Sequence, residues 1–384
     1  MVFGGDSSLD PSSIWRGSVA PQVHKNKTRE DQTMSEKIKI AVAGVGLIGR
    51  RHIELVQASP SCELVAVVDP MEVPADYLNS LGVPQYTDLS SLFAECKPDG
   101  VILATPNALH VAQTLECIDA GVAALIEKPV AHSVEEGKRL LAAAQATGAR
   151  LLVGHHRAHS PILAKAREVI REGVLGEIVA VQGSALFYKP DDYFDAAVWR
   201  RQVGGGPILI NMIHEIGNLR SLCGEIVAVQ AMQSNAARGF PVEDTVCIGL
   251  RFENGALGSF LLSDSAGCAR SWEQTSQENA SYPAFDDEDC YVVSGKGGSL
   301  SVPTMRLKYF ARVEDRSWWK PFQTATAEVK RRDPLEIQLE HFCQVIRGAE
   351  EPLVTVRDGL RNLIITEAIA EAARTGAIVR TTFP

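Results

Sequence analysis

The chain has 384 residues, 45% of them hydrophobic and 22% charged, the profile of a globular protein with core enough for two or three domains of roughly 150 residues each. Its net charge of −9 gives no electrostatic footprint for nucleic acid or for an anionic membrane. No apolar run approaches the roughly 18 residues that span a bilayer, and the N-terminus lacks the apolar core of a secretory signal, so the expected location is the cytoplasm.

Residues 1–36 are polar and unpatterned, with Ser7-Ser8, Ser12-Ser13 and His24-Lys25-Asn26-Lys27. A segment that buries no face is expected to be a disordered extension. From residue 38 the pattern changes. An apolar run over 38–43 reads as a strand ended by Gly44, and 47–57 as a helix. Strands are expected at 64–68, 101–104, 122–126 and 151–153, with helices at 108–120 and 134–146 between them. Continuous apolar strands alternating with helices imply a parallel sheet covered on both faces, so residues 37–155 are expected to form a doubly wound α/β domain.

The rhythm differs in residues 156–384. A helix at 161–171 precedes strand-like stretches at 178–187, 226–232, 245–252, 256–262, 291–294, 299–302 and 307–310. Turn signals such as Glu253-Asn254-Gly255 point to a largely antiparallel sheet. The polar stretch 263–289 is long for a loop, which is usually functional or mobile at that length. Asp333-Pro334-Leu335-Glu336 is a helix start with Asp as cap and Pro in the first turn, Gly348 ends that helix, and a last helix spans 357–374. The eight cysteines include no C-x-x-C pair and read as reduced thiols.

Gly44-Val45-Gly46-Leu47-Ile48-Gly49 fits G-x-G-x-x-G between a strand and a helix. In that context the first glycine makes the turn and the second admits the pyrophosphate of a dinucleotide. The third packs helix on strand, and the helix N-terminus faces the negative charge. Asp69 ends the second strand 20 residues after Gly49, where a carboxylate binds a ribose 2′-hydroxyl and repels a 2′-phosphate. NAD is therefore the expected cofactor, with NADP open because Arg50 and Arg51 lie close by.

Three further segments carry chemistry: Thr105-Pro106-Asn107-Ala108-Leu109-His110, Glu127-Lys128-Pro129, and Gly204-Gly205-Gly206 followed by His214, with Trp199-Arg200 just before the glycines. Together with the glycine motif, over about residues 38–380, the chain resembles the glucose–fructose oxidoreductase/inositol dehydrogenase/MocA family. The resemblance implies a Rossmann domain followed by an α/β domain with an open, mainly antiparallel sheet. It implies that Lys128 and His214 are catalytic and that Lys128-Pro129 is a cis peptide. Gly44, Gly46, Leu47, Ile48, Gly49, Asp69, Thr105, Asn107, His110, Glu127, Lys128, Trp199 and Arg200 would line the cofactor. Lys128, Arg157, Asn211 and His214 would meet the substrate. Many members carry an aspartate four residues before the histidine and often another three after it; here these positions are Ile210 and Gly217. Asn211 is the nearest polar side chain, able to orient a hydroxyl but not to act as a base.

A secondary alcohol is oxidised by removing its hydroxyl proton as a hydride leaves for nicotinamide. A histidine can accept that proton, and a neighbouring ammonium can stabilise the alkoxide or relay the proton itself; the sequence leaves the choice between Lys128 and His214 open. His155-His156-Arg157-Ala158-His159 has two histidines four apart but no carboxylate or thiol beside them, and no metal is expected. Arg157, Lys189 and Arg201 are cations that could hold an anionic substrate group. The expected function is a NAD(P)-dependent dehydrogenase of a sugar, cyclitol or related polyol. The alternatives are a dehydrogenase of a carboxylated cyclic diol from aromatic degradation and a non-catalytic regulator that senses NAD or a sugar. The expected partners are a small-molecule substrate and further copies of the chain, as a homodimer or homotetramer.

Overall fold

The computed structural model describes residues 36–384; the extension expected over residues 1–36 lies outside them except for Glu36. The first half alternates strand and helix: β1 (Ile38–Ala43), α1 (Leu47–Ala58), β2 (Cys62–Val68), α2 (Ala75–Leu81), β3 (Gln85–Tyr86), α3 (Leu89–Glu95), β4 (Gly100–Leu103), α4 (His110–Asp119), β5 (Ala123–Glu127), α5 (Val134–Thr147) and β6 (Leu151–Gly154). The six strands form one sheet in the order β3-β2-β1-β4-β5-β6, with every pair parallel. β4, β5 and β6 are buried along their whole length, which is why they read as unbroken apolar runs rather than alternating ones. The doubly wound domain expected from the sequence is present. α2, β3 and α3 had no counterpart in the sequence reading.

The second half runs α6 (Pro161–Arg171), β7 (Ile178–Leu186), α7 (Asp191–Asp195), α8 (Ile213–Cys223), β8 (Ile226–Ser234), β9 (Thr245–Phe252), β10 (Leu257–Ser263), α9 (Trp272–Thr275), β11 (Tyr291–Gly295), β12 (Gly298–Val302), β13 (Arg306–Tyr309), β14 (Gln323–Thr326), α10 (Pro334–Arg347), α11 (Val356–Thr375) and β15 (Val379–Arg380). Its nine strands make an open sheet in the order β14-β13-β12-β11-β7-β10-β9-β8-β15. β7 and β10 run parallel and the other neighbours antiparallel. β9 alternates buried and exposed residues from Val246 onward, the signature of a sheet with one covered face. That face packs on Ile162, Leu163, Met212, Ile216, Leu219, Ile365 and Ile369 from the helical layer. The other leaves Val179, Met232, Leu257 and Leu261 exposed.

The chain's end returns to its beginning. From α10, Leu339, Phe342, Cys343 and Ile346 join Ile40, Val42, Ile53 and Val56 in the core on one face of the first sheet. Leu360 and Leu363 of α11 close the core on the other. α10 starts as expected, with the Asp333 carboxylate accepting from the Leu335 N–H and Gly348 in the left-handed conformation after its last turn.

Candidate active site

In the first sheet β2 and β4 flank β1, and the chain leaves these strands in opposite directions along the sheet. This is the topological switch point where α/β proteins bind ligands. Gly44 turns there with φ of 87°, and a Cβ on it would lie 2.6 Å from the Ala104 carbonyl oxygen. A Cβ on Gly49 would lie 1.8 Å from the Gly44 carbonyl oxygen, so only glycine permits this contact. Gly46 faces open space, with nothing within 4 Å of its would-be Cβ. It caps α1 without any side-chain hydrogen bond to the first-turn amides. An open cradle beneath free helix amides fits a dinucleotide pyrophosphate.

Asp69 follows β2 and organises this loop: Oδ2 accepts from the Val45 N–H at 2.8 Å and Oδ1 from the Met71 N–H at 3.0 Å. Neither nearby arginine is free. Arg50 Nε donates to the Val45 carbonyl and its guanidinium lies 4.6 Å from the Tyr77 ring centroid. Arg51 is paired with Asp333 and Glu54. Both arrangements favour a free 2′-hydroxyl over a 2′-phosphate. Leu47 is almost fully exposed and Ile48 borders on exposed at the start of α1.

The loops after β4 and β5 are tied together by His110, whose Nδ1 lies 2.7 Å from the Pro129 carbonyl oxygen and Nε2 2.9 Å from that of Thr105. His110 is buried, and its two ring nitrogens face backbone carbonyls of both loops. The Thr105 hydroxyl is likewise engaged, by Gln113, and Asn107 opens a short 3₁₀ turn beside it. Glu127 is buried with both oxygens used: Oε1 is 2.8 Å from His52 Nε2, and Oε2 accepts the Lys128 N–H at 3.2 Å. His52 was not singled out in the sequence; its place on α1, three residues after Gly49 and beside Ile53, was the signal available.

Lys128, ahead of a cis peptide to Pro129, directs Nζ to the Ile210 carbonyl oxygen at 3.3 Å. Burial pushes its pKa down, Glu127 opposes that, and Arg157 and Lys189 add to it. Residues Ile208–Met212 form a π-helical turn, a distortion found often at functional sites. It is held by Glu243, which accepts the Ile208 N–H at 3.0 Å and lies where a Cβ on Gly206 would be. His214 follows on α8, its ring 5.3 Å from His156 and 6.2 Å from His155. Its Nδ1 is buried without a partner among the described residues. Burial, then the charges of Lys128 and Arg157, hold its pKa well below the ordinary histidine value.

Arg157, expected to meet the substrate, is buried and paired with Glu215 at 2.5 Å and with Glu273. Its two carboxylates come from α8 and from the long polar stretch, distant in sequence and invisible to local reading. That stretch is anchored rather than loose, since Glu278 accepts from Ser160 Oγ at 2.5 Å and Trp272 Nε1 at 3.1 Å. Lys189 lies 3.3 Å from Asp264 and donates to Asn211 Oδ1 at 2.9 Å, and Arg201 pairs with Asp195. Every cation suggested for an anionic substrate group thus has a protein carboxylate already. Arg200 stacks 3.9 Å from the Tyr193 ring and donates to its carbonyl oxygen at 2.6 Å, while Trp199 beside it stays half exposed. The close histidines of 155–159 diverge: His155 Nε2 meets Asn362 at 3.3 Å and His159 Nε2 meets His341 at 2.8 Å.

Residues 38–155 match the family model described as "Oxidoreductase family, NAD-binding Rossmann fold", and residues 163–301 the GFO/IDH/MocA C-terminal domain. A 1,5-anhydro-D-fructose reductase of Ensifer adhaerens is 28% identical over 303 residues, 76% of this chain and 82% of the relative. The scyllo-inositol 2-dehydrogenase (NAD(+)) of Bacillus subtilis is 26% identical over 360 residues, 90% and 97% of the two chains. The crystal structure of the WlbA dehydrogenase of Bordetella pertussis with NADH and UDP-GlcNAcA superposes with a TM-score of 0.71 at 26% identity. It covers 91% of this chain and 100% of that one. The cleft at the carboxyl ends of β1, β4 and β5 therefore lies in an NAD-binding Rossmann domain, and the chain belongs to the GFO/IDH/MocA family of oxidoreductases.

Proposed function

We infer that the chain is a dehydrogenase that uses NAD to oxidise, reversibly, a secondary alcohol of a sugar, cyclitol or related polyol, with Lys128 as the proton acceptor. One observation carries this: the Lys128 ammonium, just past the end of β5, has as its direct partner the Ile210 carbonyl oxygen rather than a carboxylate. An amine so placed, with its pKa lowered by burial, is available in its neutral form to take a hydroxyl proton. His214 suits a different task. Imidazolium is disfavoured between Lys128 and Arg157, so the neutral ring orients the hydroxyl by hydrogen bonding while the proton passes to Lys128. Bound NAD would supply the hydride acceptor. Asn211, its oxygen turned to Lys189, presents its amide N–H groups for a second substrate oxygen.

A neutral polyol is favoured over the carboxylated diol because Arg157, Lys189 and Arg201 are all paired with carboxylates. The uncovered face of the nine-stranded sheet, with Val179, Leu257 and Leu261 exposed, is read as the contact between copies of the chain. Among the described residues no helix is long and apolar enough to cross a membrane, and a cytoplasmic enzyme is the reading adopted here.

The test is the reduced-nicotinamide absorbance with NAD and NADP separately, over scyllo- and myo-inositol, levoglucosan, D-apiose and carboxylated cyclic diols. A rise with a neutral polyol and NAD supports the reading. A response confined to the carboxylated diols would replace it, and cofactor binding without turnover of any compound would remove it.

A further inference from the structure

The helix that opens the cofactor cradle and the lysine that faces the substrate share one buried carboxylate. His52 sits in the middle of α1, 2% exposed, and its Nε2 lies 2.8 Å from Glu127 Oε1. The other oxygen of Glu127 takes the backbone N–H of Lys128 itself. Room for this carboxylate is made from a third side. A Cβ on Gly154 of β6 would lie 3.1 Å from the Glu127 Cα and 3.2 Å from its carboxyl carbon. From Lys128 the connection continues into the second half of the chain through the Ile210 carbonyl.

A carboxylate at the end of a core strand is an expensive way to fill space, since an apolar residue would do so without desolvating a charge. What it adds here is direction. His52 fixes one oxygen, so the other is fixed against the Lys128 amide, and the lysine leaves β5 at a set angle. We propose that His52 is a positioning residue for the reaction: through Glu127 it couples the seating of the dinucleotide on α1 to the placement of Lys128. The proposal rests on the reading of Lys128 as the proton acceptor. A dinucleotide seated on α1 would meet a helix tied through His52 and Glu127 to the backbone of Lys128.

The charges that face Lys128 are Glu127 from β5, Arg157 from the turn after β6, Lys189 after β7 and Glu273 from α9. Of these, Glu127 favours the ammonium most. His52 in turn helps hold the Glu127 carboxyl down at about 2 against the effect of burial. Replacing Glu127 by Gln removes that negative charge outright, which lowers the pKa of Lys128 and moves the acid limb of the oxidation pH profile to lower pH.

The experiment compares His52→Leu, His52→Gln and Glu127→Gln with the native protein, using NAD and the polyol turned over fastest in the screen. His52→Leu is expected to lower kcat by at least about tenfold, short of the ~10²-fold that a misplaced catalytic group can cost. NADH affinity should change by less than that, and in Glu127→Gln the acid limb should shift to lower pH. His52→Gln, which keeps a donor for Glu127 Oε1, should recover most of the rate. A native kcat in folded His52→Leu would overturn the proposal, as would a His52→Gln variant no better than His52→Leu. If His52→Leu does not fold, Glu127→Gln decides: a limb moved to lower pH supports the coupling and an unmoved limb rejects it. Lys128→Ala run alongside keeps the two failures apart. Full activity there removes the function itself, whereas an essential Lys128 with an indifferent His52 removes only this inference.

Discussion

In the proposed reaction Lys128 and His214 differ in what burial does to them. Burial lowers the pKa of each, but the consequences differ. For the lysine a lowered pKa creates a usable base; for the histidine it keeps the ring neutral. Oxidation needs the neutral amine, so kcat/KM should rise with pH through a limb lying below the ordinary lysine pKa, and the reverse reduction should fall through the same limb. Initial rates in both directions across pH would check this, and an oxidation rate flat across that range would contradict it. Asp69 invites a second test. Its carboxylate serves the Val45 and Met71 amides, and Val45 is buried. Asp69→Ala should weaken NAD binding by about 1.5–3 kcal/mol, the usual worth of a hydrogen bond to a charged group, while narrowing the preference for NAD over NADP. Fluorescence titration with both cofactors would measure it; equal losses for the two would leave Asp69 no part in selectivity.

At the scale of elements, α10 shows how the C-terminal segment stabilises the N-terminal sheet. Phe342 is fully buried against Ile40, Ile53 and Leu125, so Phe342→Ala should destabilise the protein by roughly 3–5 kcal/mol. A denaturant midpoint unchanged from the native value would show that α10 does not stay docked in solution. The same helix was legible in the sequence because its cap, proline and closing glycine are local signals. β1 to α1 was legible for a similar reason: strand, glycine motif and helix follow one another within 21 residues (38–58). Elements without a local signal were missed. β3 is two residues long, and β14 is the polar edge sequence Gln323–Thr326, with no apolar alternation to mark it. The π-turn at Ile208–Met212 depends on Glu243 packing against Gly206, a tertiary contact that no window of sequence contains. The carboxylates around Arg157 escaped in the same way, and with them the bridge it makes between Glu215 and Glu273.

For the whole molecule, two sheets are joined by helices that belong to both, since α11 contributes Leu360 and Leu363 to the first core and Ile365 and Ile369 to the second. The proposed active site lies where these halves meet: the loops of the parallel sheet supply Lys128 and the cofactor cradle, and α8 supplies His214. The remaining face of the second sheet is uncovered and carries Val179, Met232, Leu257 and Leu261. If copies of the chain associate there, Leu257→Arg combined with Leu261→Arg should reduce the mass found by light scattering to that of one chain. A native protein already monomeric at micromolar concentration would count against the association.

The most direct test of the account is Lys128→Ala, assayed for turnover of the best polyol and for NADH binding in the same preparation. General acid–base contributions of roughly 10²–10⁴ set the predicted loss in kcat, with cofactor affinity close to native. A variant that binds NADH and still turns over at the native rate would contradict the assignment of this cleft as a dehydrogenase centre built on Lys128.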